Sequence, residues 1–128
     1  MVHIPHDTIA SNETLRDLDL SCNGLGFGLT GAGLSAAQAR NQGEDGGLIL
    51  KSSLSKLRKV TALNLSNNRL GPIGAGYLAD GLKVNFSIQN LNLRRNGIKD
   101  FGAVRLCDVL LSNWTLTKLD LGLNGISE

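Results

Sequence analysis

Apolar and polar residues follow two alternating rhythms along this chain. In Val60-x-x-Leu63-x-Leu65, Ile88-x-x-Leu91-x-Leu93 and Leu116-x-x-Leu119-x-Leu121 the paired leucines sit two residues apart between polar neighbours, the period of a short strand with one buried face. From Ile73 to Leu82 the apolar residues recur at helical spacing instead. Each strand run leads into an asparagine and one more aliphatic residue, as Asn68-x-Leu70, Asn96-x-Ile98 and Asn124-x-Ile126. Positions 60, 88 and 116 lie 28 residues apart. The same frame fits Leu15-x-x-Leu18-x-Leu20-x-x-Asn23-x-Leu25, but 45 residues before the next copy, so the first unit carries 17 residues more than 28. Strand then helix, repeated, predicts a parallel sheet. Strands sit roughly 4.8 Å apart while packed helices need about 8–10 Å, so the stack must curve with its strands inside.

The second half of each unit repeats as well. Gly74-Ala75, Leu78, Leu82 and Asn85-Phe86-Ser87-Ile88 line up with Gly102-Ala103, Leu106, Leu110 and Asn113-Trp114-Thr115-Leu116. Asn12-Glu13-Thr14-Leu15 matches the same closing tetrad, so the chain opens inside a unit. The organisation expected is one domain over 1–128: a partial repeat over 1–14, a repeat with an insertion over 15–59, repeats over 60–87 and 88–115, and a partial repeat over 116–128.

The combined pattern, LxxLxLxxNxL followed by GA-x-x-L-x-x-x-L-x-x-N-x-[ST]-L, resembles the leucine-rich repeat family. Within that family it looks most like the ribonuclease-inhibitor-like subfamily, and is similar to the arrays of nucleotide-binding-domain leucine-rich-repeat receptors. The resemblance covers nearly the whole chain except the insertion and the first few residues. It implies an α/β solenoid arc with parallel strands on the concave face and helices on the convex face.

Asn23, Asn68, Asn96 and Asn124 stand where the chain leaves each strand, and a buried amide there can bond main-chain groups of the bend and of the adjacent unit. Pro72 suits the first turn of its helix, and Asp100 is a candidate N-cap for the next. The insertion, with the polar run RNQGEDGG over Arg40–Gly47 at its centre, is expected to divide the first helix into pieces near Leu34–Ala39 and Leu48–Leu57.

Composition narrows the function. Aromatics are only 4% of the chain, so the core must be aliphatic, and a net charge of +2 is far from the basic surface that phosphate backbones select. Nucleic acid is therefore not an expected partner. The N-terminal residues lack a secretory pattern and no run approaches the roughly 18 apolar residues of a membrane span, which points to a cytoplasmic protein with no membrane partner. Cys22 and Cys107 are expected to be free thiols.

Several motifs mimic chemistry. Gly26-Phe27-Gly28-Leu29-Thr30-Gly31 satisfies the G-x-G-x-x-G pattern of a dinucleotide loop, yet its counterparts Gly71-Pro72-Ile73-Gly74-Ala75-Gly76 and Lys99-Asp100-Phe101-Gly102-Ala103 mark it as a repeat turn whose small residues let the helix approach the sheet. No cofactor is expected. His3 and His6 offer too few convergent ligands for a metal. The sequons at Asn12, Asn64, Asn85 and Asn113 are mostly the repeat's own tetrad. Nothing pairs a nucleophile with a base, so an enzyme is not expected.

The residues flanking the strand leucines form three columns on the concave face: Asp17, Ala62, Asn90, Lys118; Asp19, Asn64, Asn92, Asp120; and Ser21, Ser66, Arg94, Gly122, with Asn67 and Arg95 just beyond. Free of the packing requirement, these polar positions are the candidate partner-binding surface, and Arg94 and Arg95 are its strongest members because arginine is enriched where partners dock. A second candidate is the helix-to-strand corner, where Glu13, Arg58, Phe86 and Trp114 share a column; Phe86 and Trp114 are a candidate aromatic anchor, although partial burial is expected of them. The final strand leaves leucines uncovered, which predicts a fragment or isoform of a longer array, or self-association through an end. The function expected is non-catalytic protein binding through the concave face. The resemblance also admits a Ran GTPase-activating-protein-like regulator of a small GTPase or a fragment of an innate-immune sensor, and fold alone does not choose among them.

Overall fold

The computed structural model describes residues 14–24 and 44–127. Their elements run β1 (Asp17–Asp19), α1 (Glu44–Leu54), β2 (Ala62–Asn64), α2 (Gly71–Leu82), β3 (Asn90–Asn92), α3 (Lys99–Leu110) and β4 (Lys118–Asp120). The strands form a single parallel sheet in chain order. Asp17, Ala62, Asn90 and Lys118 pair in one row, the leucines Leu18, Leu63, Leu91 and Leu119 in the next, and Asp19, Asn64, Asn92 and Asp120 in the third. This is the register set by the repeat spacing. The ladder continues past the strands, with Leu65 N–H donating to the Asn92 carbonyl at 2.9 Å and Asn67 N–H to that of Arg94 at 3.0 Å.

The helices lie on one side of the sheet, α1 against α2 and α2 against α3, so the architecture is the expected solenoid of strands inside and helices outside. Leu63, Leu65 and Leu70 meet Leu78, Ala79 and Leu82 in a fully aliphatic core, and the next unit contributes Leu91, Leu93, Ile98, Leu106 and Val109; Leu110, aligned with Leu82 in the sequence, is exposed, and Val109 beside it is buried instead. Leu18, Leu20, Leu119 and Leu121 are only half-buried, because each outer strand has a described neighbour on one side alone.

The four strand-exit asparagines form a ladder, buried at Asn68, Asn96 and Asn124 and half-buried at Asn23. Asn96 donates its amide N–H groups to the carbonyls of Leu65 in the preceding unit at 2.9 Å and Leu93 in its own at 3.0 Å. Its Oδ1 accepts from the backbone N–H of Asn68 at 3.1 Å and of Leu70 at 3.3 Å. Asn124 treats Asn96 and Ile98 the same way, at 2.7 and 3.3 Å. Together with the bonds from Gly71 N–H to the Asn96 carbonyl and from Lys99 N–H to that of Asn124, this satisfies the first N–H groups of α2 and α3 from the following unit. Neither helix carries a side-chain cap of its own. Asp100 is accordingly not a cap: it lies inside the first turn of α3 and reaches forward to Ser127, accepting from its N–H at 2.7 Å and its hydroxyl at 2.5 Å. Pro72 occupies the first turn of α2 as expected.

The first helix differs from its expected form. It starts at Glu44, inside the run expected to be a polar loop, and stops at Leu54; Leu34–Ala39 and the Gly26–Gly31 motif lie outside the described residues. Contact with α2 outweighs the poor helix propensity of glycine here. A Cβ at Gly47 would come within 3.0 Å of both the Gly74 backbone and Tyr77 Cβ. Gly81 likewise admits Leu54 and Lys51 of α1, and Gly102 admits Ala75 and Pro72 of α2. The repeat's small residues thus bring helix to helix, rather than helix to sheet.

Replacing Asn96 with Ala removes two short carbonyl bonds and strands the buried N–H groups of Asn68 and Leu70; at ~1 kcal/mol per bond and ~1–3 kcal/mol per orphaned group, a loss of at least about 4 kcal/mol is expected in urea denaturation followed by circular dichroism. Gly102→Ala and Gly76→Ala separate packing from propensity. The first forces a methyl to 2.5 Å from Ile98 Cγ2 and is expected to cost about 1–3 kcal/mol, whereas the second meets nothing closer than 3.6 Å and is expected to stabilise by about 0.5–1 kcal/mol.

Candidate functional site

The sheet face opposite the helices carries the three predicted columns side by side, and the structure gives each a different role. The first is open, with Asp17, Asn90 and Lys118 exposed and Ala62 half-buried. The second is partly committed to the fold: one side-chain oxygen of Asp19, Asn64, Asn92 and Asp120 accepts the backbone N–H two residues on, at 2.9, 3.0, 3.0 and 2.9 Å. These bonds turn the chain out of the strand toward the buried asparagine. The third is mixed, since Ser66 is only 8% accessible and is not available to a partner, while Ser21 is half-buried and Arg94 exposed.

An open depression of about 230 Å³ runs across the face between Asp17, Asn64, Asn90, Asn92, Lys118 and Asp120. Arg94 lies across the next strand, where the missing side chain of Gly122 makes room for its guanidinium, and it approaches Asp120 at 3.8 Å. An exposed pair at that distance contributes at most ~1 kcal/mol. Charge changes along the array, acidic at β1 through Asp17 and Asp19 and mixed at β4, where Arg94 and Lys118 stand beside Asp120.

Asn67 and Arg95 sit apart from this face. With Cys22, Gly24 and Arg69 they line a depression on the strand-to-helix rim. Cys22, Asn67, Arg95 and Leu123 hold the same left-handed backbone, φ 59°, 58°, 57° and 54°, immediately before the ladder asparagines. Cys22 and Cys107 are exposed thiols on the rim and on α3 respectively. Glu13, His3 and His6 lie outside the described residues.

The opposite, helix-to-strand rim departs from expectation. Phe86 and Trp114 are exposed rather than partly buried. The residue before each explains this: Asn85 and Asn113, members of the repeat's closing tetrad, fill the corner and form a second ladder whose structural role the sequence pattern alone does not give. Asn113 donates to the carbonyls of Leu82 at 2.8 Å and Asn85 at 3.2 Å, and Asn85 to those of Leu54 and Leu57 at 3.0 and 3.2 Å. Their Oδ1 atoms accept from the N–H groups of Ser87, Ile88, Thr115 and Leu116, so the aromatic between amide and aliphatic residue points outward. The 28-residue recurrence of Asn-x-[ST]-[IL] was the available signal, because a buried amide is as periodic as a buried leucine.

A family model described as "Leucine Rich repeat" matches residues 11–26, 56–79, 84–107 and 112–127. The chain belongs to the leucine-rich repeat family. Among solved structures it is similar to "Leiomodin-1 Actin-Binding Site 2 (ABS2)", at 30% sequence identity and a TM-score of 0.59, over 64% of this chain and 48% of that one. It thus spans about half the length of that relative. None of the curated proteins matches the chain. Among the described residues no helix is long and apolar enough to cross a membrane.

Two carboxylates are held below their ordinary value of 3.8, Asp19 by the hydroxyl and then the N–H of Ser21, and Asp100 by the hydroxyl and then the N–H of Ser127. A depressed folded value means that their contribution is present above 3.8 and is lost as pH falls through the lower folded value. Ser127→Ala removes the larger cause at Asp100, so its pKa, followed by carboxylate NMR, is expected to rise while that of Asp19 stays where it is.

Proposed function

We propose that this chain is a non-catalytic interaction module of the ribonuclease-inhibitor-like type, taking a protein partner onto its concave face. The observation that carries the reading is the division of labour among the columns. Leucines and asparagines build the solenoid, and the second column is half-committed to turns. The first column and Arg94 make no bond that the fold requires, yet they differ in every unit: Asp17, Ala62, Asn90, Lys118. Side chains that vary while the scaffold repeats are where selectivity between partners resides.

The difference in charge along the face favours a partner with its basic part over Asp17 and Asp19 and an acidic group over Lys118, since Arg94 is drawn to Asp120. Arg95, on the rim beside Asn67, adds a further positive charge. The similarity to a structure whose title names an actin-binding site makes actin the first partner to test.

The test is a pull-down from cell lysate, with co-sedimentation on actin filaments, comparing the wild-type chain with Arg94→Glu/Arg95→Glu. Both side chains are exposed, so the fold is expected to persist while partner recovery falls at least tenfold. Identical partner sets for the two proteins would remove the concave-face assignment. Absence of actin from an otherwise charge-sensitive set would remove only actin.

A further inference from the structure

The helix-to-strand rim carries a second feature that concave-face binding does not use. Val84, Phe86, Leu111 and Trp114 are 55%, 68%, 82% and 88% exposed, and Leu111, Trp114 and Phe86 are the most exposed large apolar side chains among the described residues. They come from equivalent loops of successive units, so they gather along one edge instead of scattering over the surface. Clustered exposed apolar side chains mark contact surfaces, and tryptophan is among the residues that most often dominate them.

Charge supplies the second, independent observation. Over residues 55–61, 83–89 and 111–117, the three loops that build this rim, the sequence holds Lys56, Arg58, Lys59 and Lys83 and no acidic residue. Arg58 occupies the same column as Phe86 and Trp114, one unit earlier, and it and Lys59 are exposed. Lys83 is drawn to Asp80 at 3.5 Å. The rim therefore reads, along the array, as a basic end at Arg58–Lys59 followed by two apolar steps at Val84–Phe86 and Leu111–Trp114.

We infer that this rim is a docking edge for a short protein segment in which apolar side chains are preceded or followed by acidic ones. Two unit steps, each between the strand and helix spacings, cover about 10–20 Å. An extended segment of about four to six residues spans that length at ~3.3 Å per residue. Its apolar side chains would lie against Phe86 and Trp114 and its carboxylates against Arg58 and Lys59. A bilayer fits the same edge less well. It draws ~1 kcal/mol from each basic group near its surface, and here Lys83 is already paired, which leaves few cations to hold an anionic membrane.

Trp114 is the chain's single tryptophan, so its fluorescence reports this edge alone. The experiment selects a displayed library of random 12-residue peptides on the wild-type protein, then titrates the enriched peptides while following Trp114 emission, with vesicles containing phosphatidylserine as a parallel arm. Expected are peptides with clustered apolar residues beside Asp or Glu, a blue shift of Trp114 on binding, and an affinity at least tenfold weaker for Phe86→Ser and for Arg58→Glu/Lys59→Glu. Both variants alter exposed side chains and are expected to keep the wild-type circular dichroism spectrum. Arg94→Glu, on the concave face, is expected to bind these peptides unchanged, which separates this edge from that face. Selection that yields no peptides, converges on other chemistry, leaves Trp114 emission unmoved or ignores the rim variants overturns the proposal, as does a blue shift produced by vesicles and not by peptides.

Discussion

Every turn of this solenoid must carry backbone N–H and C=O groups through an aliphatic interior, and the structure depends on their finding partners there. A leucine core supplies none. The asparagine at each strand exit resolves the conflict with a side chain short enough to be buried and able both to donate and to accept. Asn96 binds its own bend through Leu93, the preceding unit through Leu65, and the preceding unit's entry into a helix through the N–H groups of Asn68 and Leu70. A second amide ladder, Asn85 and Asn113, does the same at the other corner. Both corners of each coil are therefore closed by the neighbouring coil, and no unit is complete alone.

That dependence explains what is built around it. Helices α2 and α3 do without side-chain caps because the next unit takes their first N–H groups. They approach one another closely because glycine occupies the contact positions, as at Gly81 and Gly102. Nearest-neighbour contact then carries stability from unit to unit, the behaviour expected of a quasi-one-dimensional array. What the scaffold leaves uncommitted is the first column of the concave face and Arg94, together with the aromatic edge that the second ladder turns outward.

The period made much of this legible in the sequence. Once positions 60, 88 and 116 are aligned, the sheet order, the strand register, the buried leucines and the role of Asn68, Asn96 and Asn124 follow, since each depends on a residue and its equivalent one unit away. What stayed hidden depends on a specific neighbour. Gly47 is helical because Gly74 and Tyr77 meet it across the helix interface, which its own polar run does not reveal. Asp100 has the look of a cap but answers to Ser127, 27 residues on. Among the candidate site residues, alternation placed the columns correctly but did not distinguish Ser66, which is buried, from Arg94, which is not. Nor did it show that Asn64 and Asn92 serve the turns, or that Phe86 and Trp114 are displaced outward by the amides beside them.

The central claim is that adjacent coils are held together by amides shared between them, and a double-mutant cycle on Asn68→Ala and Asn96→Ala measures this sharing directly. Asn68 N–H donates to Asn96 Oδ1 at 3.1 Å, so each single substitution disturbs a bond the other residue also needs. Urea unfolding of the wild type, both single variants and the double variant is predicted to give a coupling of about 1–3 kcal/mol, the double variant losing less than the sum of the singles. Losses that add to within about 0.5 kcal/mol would contradict the account, because the two asparagines would then be acting as independent caps rather than as rungs of one ladder.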